Sequence, residues 1–206
     1  MATVLVLTCS PRGERSVSRA LTTRFAQEWA RHHPQDTIRL RDLGHHPVPH
    51  ITETWIVGAT AGPESQTGAS RDAIAISDTL IDEFLAADRY VIGVPMYNFN
   101  IPSTFKAYID QLVRPGKTFA VGPNGYEGLV KDKKALFITT SGGSYPSGSA
   151  MASFNFQEPY LRTIFGFMGV TDLKFITAEN MNMGEDAARQ SRHKAENALK
   201  ELAGSW

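Results

Sequence analysis

The sequence has one cysteine, no excess of either charge and no long apolar run, and each of these absences excludes a class of protein. With Cys9 alone among 206 residues, an internal disulfide is excluded and a reducing compartment is expected. The 21 basic residues balance the 21 acidic ones, so no net field favours nucleic acid or an anionic membrane as a partner. No segment approaches the ~18 consecutive apolar residues of a membrane span. The first residues also lack the basic and apolar segments of a signal peptide, so we expect a cytoplasmic protein.

What is present is an ordinary globular composition, with 42% apolar and 20% charged residues. A chain of this length can bury a large core unaided. It contains no repeats, low-complexity tracts or linkers. We therefore expect residues 1–206 to form a single domain.

Apolar runs that predict strands alternate with apolar residues at helical spacing. The predicted strands comprise residues 4–7, 36–43 (nearer the sheet edge), 90–94, 135–140 and 171–177. The predicted helices lie near residues 20–29, 70–87, 103–113, 154–168 and 184–203. Residues 44–70 are predicted to be a long loop, and residues 120–130 carry the turn residues of a small excursion or hairpin. The pattern predicts an α/β fold: a doubly wound five-stranded parallel sheet, order 2-1-3-4-5, with helices on both faces.

The loop after the first strand has the composition of a phosphate site. Residues 8–18 hold three serines, two arginines and a glycine just before a helix begins. Free backbone N–H groups at a helix N-terminus bind anions, and hydroxyl and guanidinium groups add to such a site. The alternative is a surface loop in which Ser16 or Ser18 is only the N-cap. Since the GxxxxGK[ST] and GxGxxG motifs are absent, a single phosphate is favoured over a triphosphate or pyrophosphate.

Two further loops follow strands that the predicted order places beside the first one. Residues 96–100 put aromatic and amide side chains between two prolines, which suits a flat ligand with polar edges. Gly142 and Gly143 follow the fourth strand, where they let backbone N–H groups approach a ligand closely, although a merely flexible loop is the alternative. One phosphate joined to a large planar heterocycle indicates FMN.

The stretch Val-Pro-Met-Tyr-Asn-Phe-Asn at residues 94–100, continuing through residues 106–110 and 116–119, closely resembles the FMN-dependent NADH-azoreductases. These are flavodoxin-like homodimeric enzymes that are also NAD(P)H:quinone oxidoreductases, and the resemblance covers essentially the full chain. It implies one FMN per subunit, NADH or NADPH as reductant, a quinone or azo compound as substrate, and a ping-pong mechanism through the flavin. It implies no catalytic side chain, because solvent can supply protons to the product.

The resemblance also implies which residues bind the cofactor. Ser10, Ser16, Val17 and Ser18 would hold the phosphate; Met96, Tyr97, Asn98 and Phe99 would line the isoalloxazine ring; Thr140, Ser141, Gly142 and Gly143 would meet its pyrimidine edge. Arg12 and Arg15 depart from the hydroxyl-based pattern of the family and would add ionic contacts to the phosphate. Residues 144–157 do not match the family pattern, so no substrate role is assigned to them.

Other readings of these features stay open on the sequence. An electron carrier of the flavodoxin type is one alternative function, although such carriers are usually strongly acidic, and a non-catalytic flavodoxin-like module is another. Cys9 is better explained as a buried packing residue than as a redox nucleophile. The histidines at positions 45, 46 and 50 are better explained as solvated loop residues than as metal ligands. Trp55 could contact the core, a partner subunit or a ligand, and no nicotinamide-nucleotide motif distinguishes NADH from NADPH.

Overall fold

The structure is a computed structural model that describes residues 1–62, 64, 66–123 and 125–206. Its strands are β1 (Thr3–Thr8), β2 (Thr37–Asp42), β3 (Arg89–Pro95), β4 (Phe119–Gly122), β5 (Gly125–Gly128), β6 (Lys134–Thr140) and β7 (Asp172–Ala178). Its helices are α1 (Val17–His32), α2 (Glu53–Thr60), α3 (Gly68–Ala86), α4 (Ser103–Leu112), α5 (Gln157–Met168) and α6 (Glu185–Ala203).

Five of the strands form one parallel sheet in the order β2-β1-β3-β6-β7. The remaining pair, β4 and β5, is an antiparallel hairpin outside this sheet, as the turn residues of that segment predict. Without the hairpin the order reads 2-1-3-4-5, which confirms the predicted topology and the edge position of β2. Because the strands are parallel, the loops after β1, β3 and β6 all leave from one edge of the sheet, where ligands bind in folds of this type.

The two faces of the sheet bury separate apolar clusters, because successive side chains of a strand point to opposite faces. Leu5 and Leu7 of β1 belong to a cluster with residues of α3, α4 and α5. Val4 and Val6 belong to a second cluster with residues of α1 and α6. Helices thus cover both faces, and the central strands are apolar throughout because neither face meets water.

The prediction of a loop over residues 44–70 is wrong in part, because the segment contains α2. Thr52 is the N-cap of this helix, and its side chain accepts a hydrogen bond from the Trp55 backbone N–H at 3.2 Å. The Trp55 side chain is only 7% exposed, and its Nε1 donates to Gln111 Oε1 at 2.8 Å. Trp55 therefore packs within its own chain. Pro63 and Ser65, also in the predicted loop, lie outside the described residues.

Other boundaries differ by a few residues. The helix predicted from residue 154 begins at Gln157, after a short 3₁₀ turn over Ala152–Phe154. The helix predicted from residue 70 begins at Gly68, capped by Thr67 and Ser70, whose side chains each accept from the other's backbone N–H. Asn124, one of the predicted hairpin turn residues, lies outside the described residues. Among the described residues, no helix is long and apolar enough to cross a membrane.

Candidate functional site

A cavity of about 190 Å³ lies where the loops after β1, β3 and β6 meet. It brings together eight of the twelve predicted site residues: Ser10, Ser16, Val17, Met96, Tyr97, Thr140, Ser141 and Gly142. Ser18, Asn98, Phe99 and Gly143 are not part of its lining. Arg12, Arg15, Pro95, Met181 and Asn182 complete it. The three loops that the topology places at one edge thus form a common site.

The first loop presents donors for an anion. Ser16 is the N-cap of α1, and its Oγ accepts from the Arg19 backbone N–H at 3.3 Å. The N–H groups of Val17 and Ser18 begin the helix and have no acceptor in the described part of the chain. Ser18 itself is buried, with its hydroxyl 3.3 Å from that of Ser16, so its backbone N–H rather than its side chain is available to a ligand. Ser16 can therefore cap α1 while the Val17 and Ser18 N–H groups remain available to an anion.

Two arginines add positive charge to the same loop. Arg12 and Arg15 are exposed and line the cavity, and neither has an ion-pair partner among the residues that the structure describes. Together with the positive end of the α1 dipole, they make this side of the cavity favourable for a negatively charged group.

The second loop is a tight turn whose two central residues are left-handed. Tyr97 and Asn100 exchange backbone hydrogen bonds of 2.9 and 3.0 Å, and between them Asn98 has φ 49° and Phe99 has φ 68°. Two consecutive positive φ angles are the mark of a type I′ turn. Within the described residues, the N–H groups of Asn98 and Phe99 have no acceptor. The Tyr97 hydroxyl lies 3.4 Å from Ser10 Oγ and so links this turn to the first loop.

The same turn directs the side chains of Asn98 and Phe99 away from the cavity. Asn98 lines a neighbouring cavity of about 460 Å³ that shares Tyr97 with the first one. The Phe99 ring packs against Phe154 at 5.2 Å between centroids, and its carbonyl accepts from the Phe156 N–H at 3.1 Å. Residues 144–157, to which the sequence assigns no role, thus contact the second loop.

The third loop carries the expected glycines. Met96 N donates to Thr140 O at 2.7 Å, which joins the third loop to the second one. Ser141 Oγ donates to Gly143 O at 2.8 Å, which fixes the shape of the third loop. The N–H groups of Gly142 and Gly143 have no acceptor in the described chain. A Cβ on Gly142 would lie 2.6 Å from Asn182 Nδ2, so a larger residue here would displace the Asn182 side chain.

Sequence reasoning missed a fourth segment. Met181 N donates to Ser141 O at 3.0 Å and Asn182 N donates to Gly142 O at 2.9 Å, which places both residues beside the third loop and in the lining of the cavity. The available signal was their position: they follow β7, whose carboxyl end lies at the same edge of the sheet.

The cavity is smaller than the 300–1,000 Å³ typical of sites that enclose a whole small molecule. Two neighbouring cavities share lining residues with it. A cavity of about 500 Å³, bordered by residues of the 144–157 segment, shares Met96 and Ser141 with it, and the one lined by Asn98 shares Tyr97. The three cavities thus adjoin one another through shared lining residues at this edge of the sheet.

The other side chains considered from the sequence lie outside this cavity. Cys9 is fully buried, and burial raises the pKa of its thiol well above the usual value, as suits a packing residue. His45 Nδ1 lies 2.8 Å from Asp42 Oδ2. The described residues contain no group of three or more histidine, cysteine or acidic side chains with metal-binding geometry.

A family model described as flavodoxin-like fold matches residues 2–203. The chain is 58% identical to the FMN-dependent NADH:quinone oxidoreductase of a Nostoc species over 207 aligned positions, covering 100% of both chains. It is 53% identical to the enzyme of the same name from Nostoc punctiforme, again with both chains fully covered.

Solved structures show the same similarity in three dimensions. The crystal structure of an azoreductase from Bacillus anthracis is 30% identical and superposes with a TM-score of 0.93, covering 100% of both chains. An FMN-dependent NADH-azoreductase from the same species, crystallised in complex with FMN, is 26% identical with a TM-score of 0.87, covering 98% of this chain and 100% of the other.

Proposed function

The chain belongs to the flavodoxin-like family of FMN-dependent NADH:quinone oxidoreductases, and we propose from this premise that it transfers electrons from NADH to quinones and azo compounds with FMN as its cofactor. The observation that carries the proposal is that backbone N–H groups of all three loops have no acceptor among the described residues. Two belong to each of the three loops, at Val17 and Ser18, at Asn98 and Phe99, and at Gly142 and Gly143. A bound ligand with polar groups facing all three loops would satisfy them.

The first loop fits the phosphate of FMN. The N–H groups of Val17 and Ser18 and the hydroxyls of Ser10 and Ser16 are donors for phosphate oxygens, and the guanidinium groups of Arg12 and Arg15 would neutralise its charge. This fits a monoester because one helix N-terminus and one short loop supply all the donors.

The second and third loops fit the ring. The Tyr97 and Met96 side chains would contact its plane, and the N–H groups of Gly142 and Gly143 would donate to its carbonyl edge. When bound there, FMN would supply the chemistry of hydride transfer from NADH and of two-electron transfer to the acceptor. The Gly142 and Gly143 N–H groups would then stabilise negative charge at that edge. No side chain of the cavity is required as a fixed general acid, since its open neighbours admit solvent.

We also propose that the protein is a homodimer and cytoplasmic. On α2, Ile56 and Val57 are 49% and 47% exposed, although the adjacent Trp55 is buried in its own chain. Exposed aliphatic residues beside each other on one short helix suit contact with a second copy. Because the Trp55 side chain is buried in its own chain, it is not available to contact the cofactor of a second copy.

The cytoplasmic location is supported by Cys9, which is unpaired as expected in a reducing compartment.

An anaerobic absorbance titration tests the proposed function. The protein is loaded with FMN, reduced with NADH and then mixed with a quinone or an azo dye. We expect NADH to bleach the flavin band and either acceptor to restore it. A flavin that stays oxidised with NADH would instead support an electron carrier, and a protein that binds no FMN would support the non-catalytic module.

A further inference from the structure

Arg19 lies in the first turn of α1, yet it is not part of the candidate cavity. It lines a groove of about 560 Å³ on the outer side of the helix, together with Gly13 and Glu14. Arg12 and Arg15, in contrast, line the cavity itself. Arg19 therefore has a different task from the two arginines that face the proposed phosphate.

The guanidinium of Arg19 joins three segments behind the first loop. It forms a bidentate pair with Asp42 at the end of β2, with Nη1–Oδ2 at 2.7 Å and Nη2–Oδ1 at 2.8 Å. The same Nη2 donates to the Ser10 carbonyl at 2.8 Å, and Nη1 donates to Thr8 Oγ1 at 3.1 Å. Bidentate, charge-assisted pairs are the strongest hydrogen bonds available to side chains. The start of α1 is thus tied to the ends of β1 and β2.

Asp42 extends the contact to the turn after β2. Its Oδ1 accepts from the backbone N–H groups of Gly44 and His45 at 3.1 and 3.2 Å. Gly44 in turn packs directly on Ser10, since a Cβ at position 44 would lie 1.9 Å from the Ser10 carbonyl oxygen. The Ser10 carbonyl is therefore held from two sides, by the Arg19 guanidinium and by the Gly44 backbone.

We propose that Arg19 and Asp42 are a positioning unit that holds Ser10 and the start of α1 in the arrangement that binds the phosphate of FMN. This inference rests on the proposed function. A phosphate gains most from donors that are already in place, because ordering them on binding reduces affinity. Loss of the pair therefore weakens recognition of the phosphate and leaves the ring-binding loops intact.

The test compares FMN with riboflavin, which has the same ring and no phosphate. Apo-protein is titrated with each flavin, and the dissociation constant is read from quenching of flavin fluorescence. We expect Arg19→Gln to weaken FMN binding on the order of tenfold, the range of one lost charge-assisted hydrogen bond, with little change for riboflavin. Asp42→Asn should act alike, and the double variant should be no weaker than either single one.

Two further variants distinguish a loss of positioning from a general loss of stability. Arg24→Gln removes another arginine of α1, which pairs with Glu196 at 2.9 Å, and should leave both affinities unchanged. Arg19→Lys keeps the charge without the bidentate geometry and should give an intermediate loss, which keeps the test informative if Arg19→Gln does not fold.

The outcomes distinguish the inference from its premise. The positioning role would be overturned if Arg19→Gln bound FMN as tightly as wild type, or if it lost affinity for FMN and riboflavin equally. In either case, reduction of the FMN-loaded wild-type protein by NADH would still support the proposed function. Wild-type protein that binds neither flavin would refute the proposed function and the inference with it.

Discussion

Asp42 ends β2 with its carboxylate surrounded by donors, and this has a consequence for acid stability. Burial alone would raise its pKa, but hydrogen bonds from Arg19 and His45 outweigh burial and hold the pKa far below the usual value. A carboxyl whose pKa is lower in the folded than in the unfolded state stabilises the fold above the unfolded pKa of about 4. As the pH falls below that value, the unfolded chain takes up the proton first and the stabilisation is lost.

We therefore expect Asp42→Asn to lower the free energy of unfolding at pH 7 and to flatten its fall as the pH drops below about 5, down to the most acidic pH at which unfolding can be measured. Urea unfolding at several pH values, followed by circular dichroism, measures both effects. Asp72→Asn is the control, since Asp72 is exposed on α3 and has no ion pair in the described chain. Parallel curves for wild type and Asp42→Asn would show that the carboxylate is not linked to acid unfolding.

Cys9 lies next to the cavity but does not have the properties of a reactive thiol. It directly precedes Ser10 of the cavity, yet it is fully buried and the pKa of its thiol is raised by that burial. Because the thiolate is the reactive form, such a residue is a poor nucleophile at neutral pH. A side-chain redox mechanism is thus disfavoured, in agreement with chemistry that depends on the bound cofactor.

At the scale of elements, Asn98 can act in two ways: through its side-chain amide, and by accommodating the left-handed backbone of the turn from Tyr97 to Asn100. Its φ of 49° is tolerated by asparagine and glycine but strained for alanine, so Asn98→Ala removes the amide and also destabilises the turn. Asn98→Gly removes only the amide. We expect Asn98→Ala to weaken FMN binding or slow reduction by NADH, and comparison with Asn98→Gly to assign the cause.

Titration with FMN and stopped-flow reduction measure the two variants. If the amide contributes, Asn98→Gly loses affinity or rate by roughly tenfold or less, the range of one neutral hydrogen bond, and Asn98→Ala loses at least as much. If the turn alone matters, Asn98→Gly behaves as wild type. Wild-type values for both variants would remove Asn98 from the site.

Elements buried on both sides were predictable, and those defined by a few contacts were not. The central strands are continuous apolar runs because helices cover both faces of the sheet, and that signal gave the topology. Helix α2 buries only Trp55 and Gly58, so its sequence has no periodic apolar face to detect. Its start depends on the Thr52 cap, a local hydrogen bond that many loops also contain.

The same contrast holds for the site. Loops were placed correctly because parallel strands end at one edge, but the direction of a side chain depends on the turn that carries it. Two left-handed residues direct Phe99 to the 144–157 segment, and the N-cap arrangement buries Ser18. Asn182 was not predicted because the residues after β7 carry no glycine pair, serine cluster or aromatic run, although the loop after β7 lies at the same edge.

At the scale of the whole molecule, Ile56 and Val57 form an exposed aliphatic face on α2. Two hydrogen bonds fix the orientation of α2 on its buried side. Trp55 Nε1 donates to Gln111 Oε1, and Gln111 Nε2 donates to the Pro49 carbonyl at 2.9 Å. With the buried side thus anchored, Ile56 and Val57 are held outward. A rigid apolar pair on the surface is better suited to a specific contact than a mobile one, because less order is lost on association.

We therefore expect a homodimer in solution and expect Ile56→Asp together with Val57→Asp to shift it towards monomer, since a charge buried in an apolar contact is strongly unfavourable. Light scattering after gel filtration measures the mass, and sedimentation velocity over a concentration series measures the shift. Leu40→Asp is the matched control, because Leu40 is another exposed aliphatic residue, 75% exposed on the edge strand β2 and outside α2. A wild-type monomer with full quinone reductase activity would refute the dimer, and a dimer unchanged by the double variant would place its interface elsewhere.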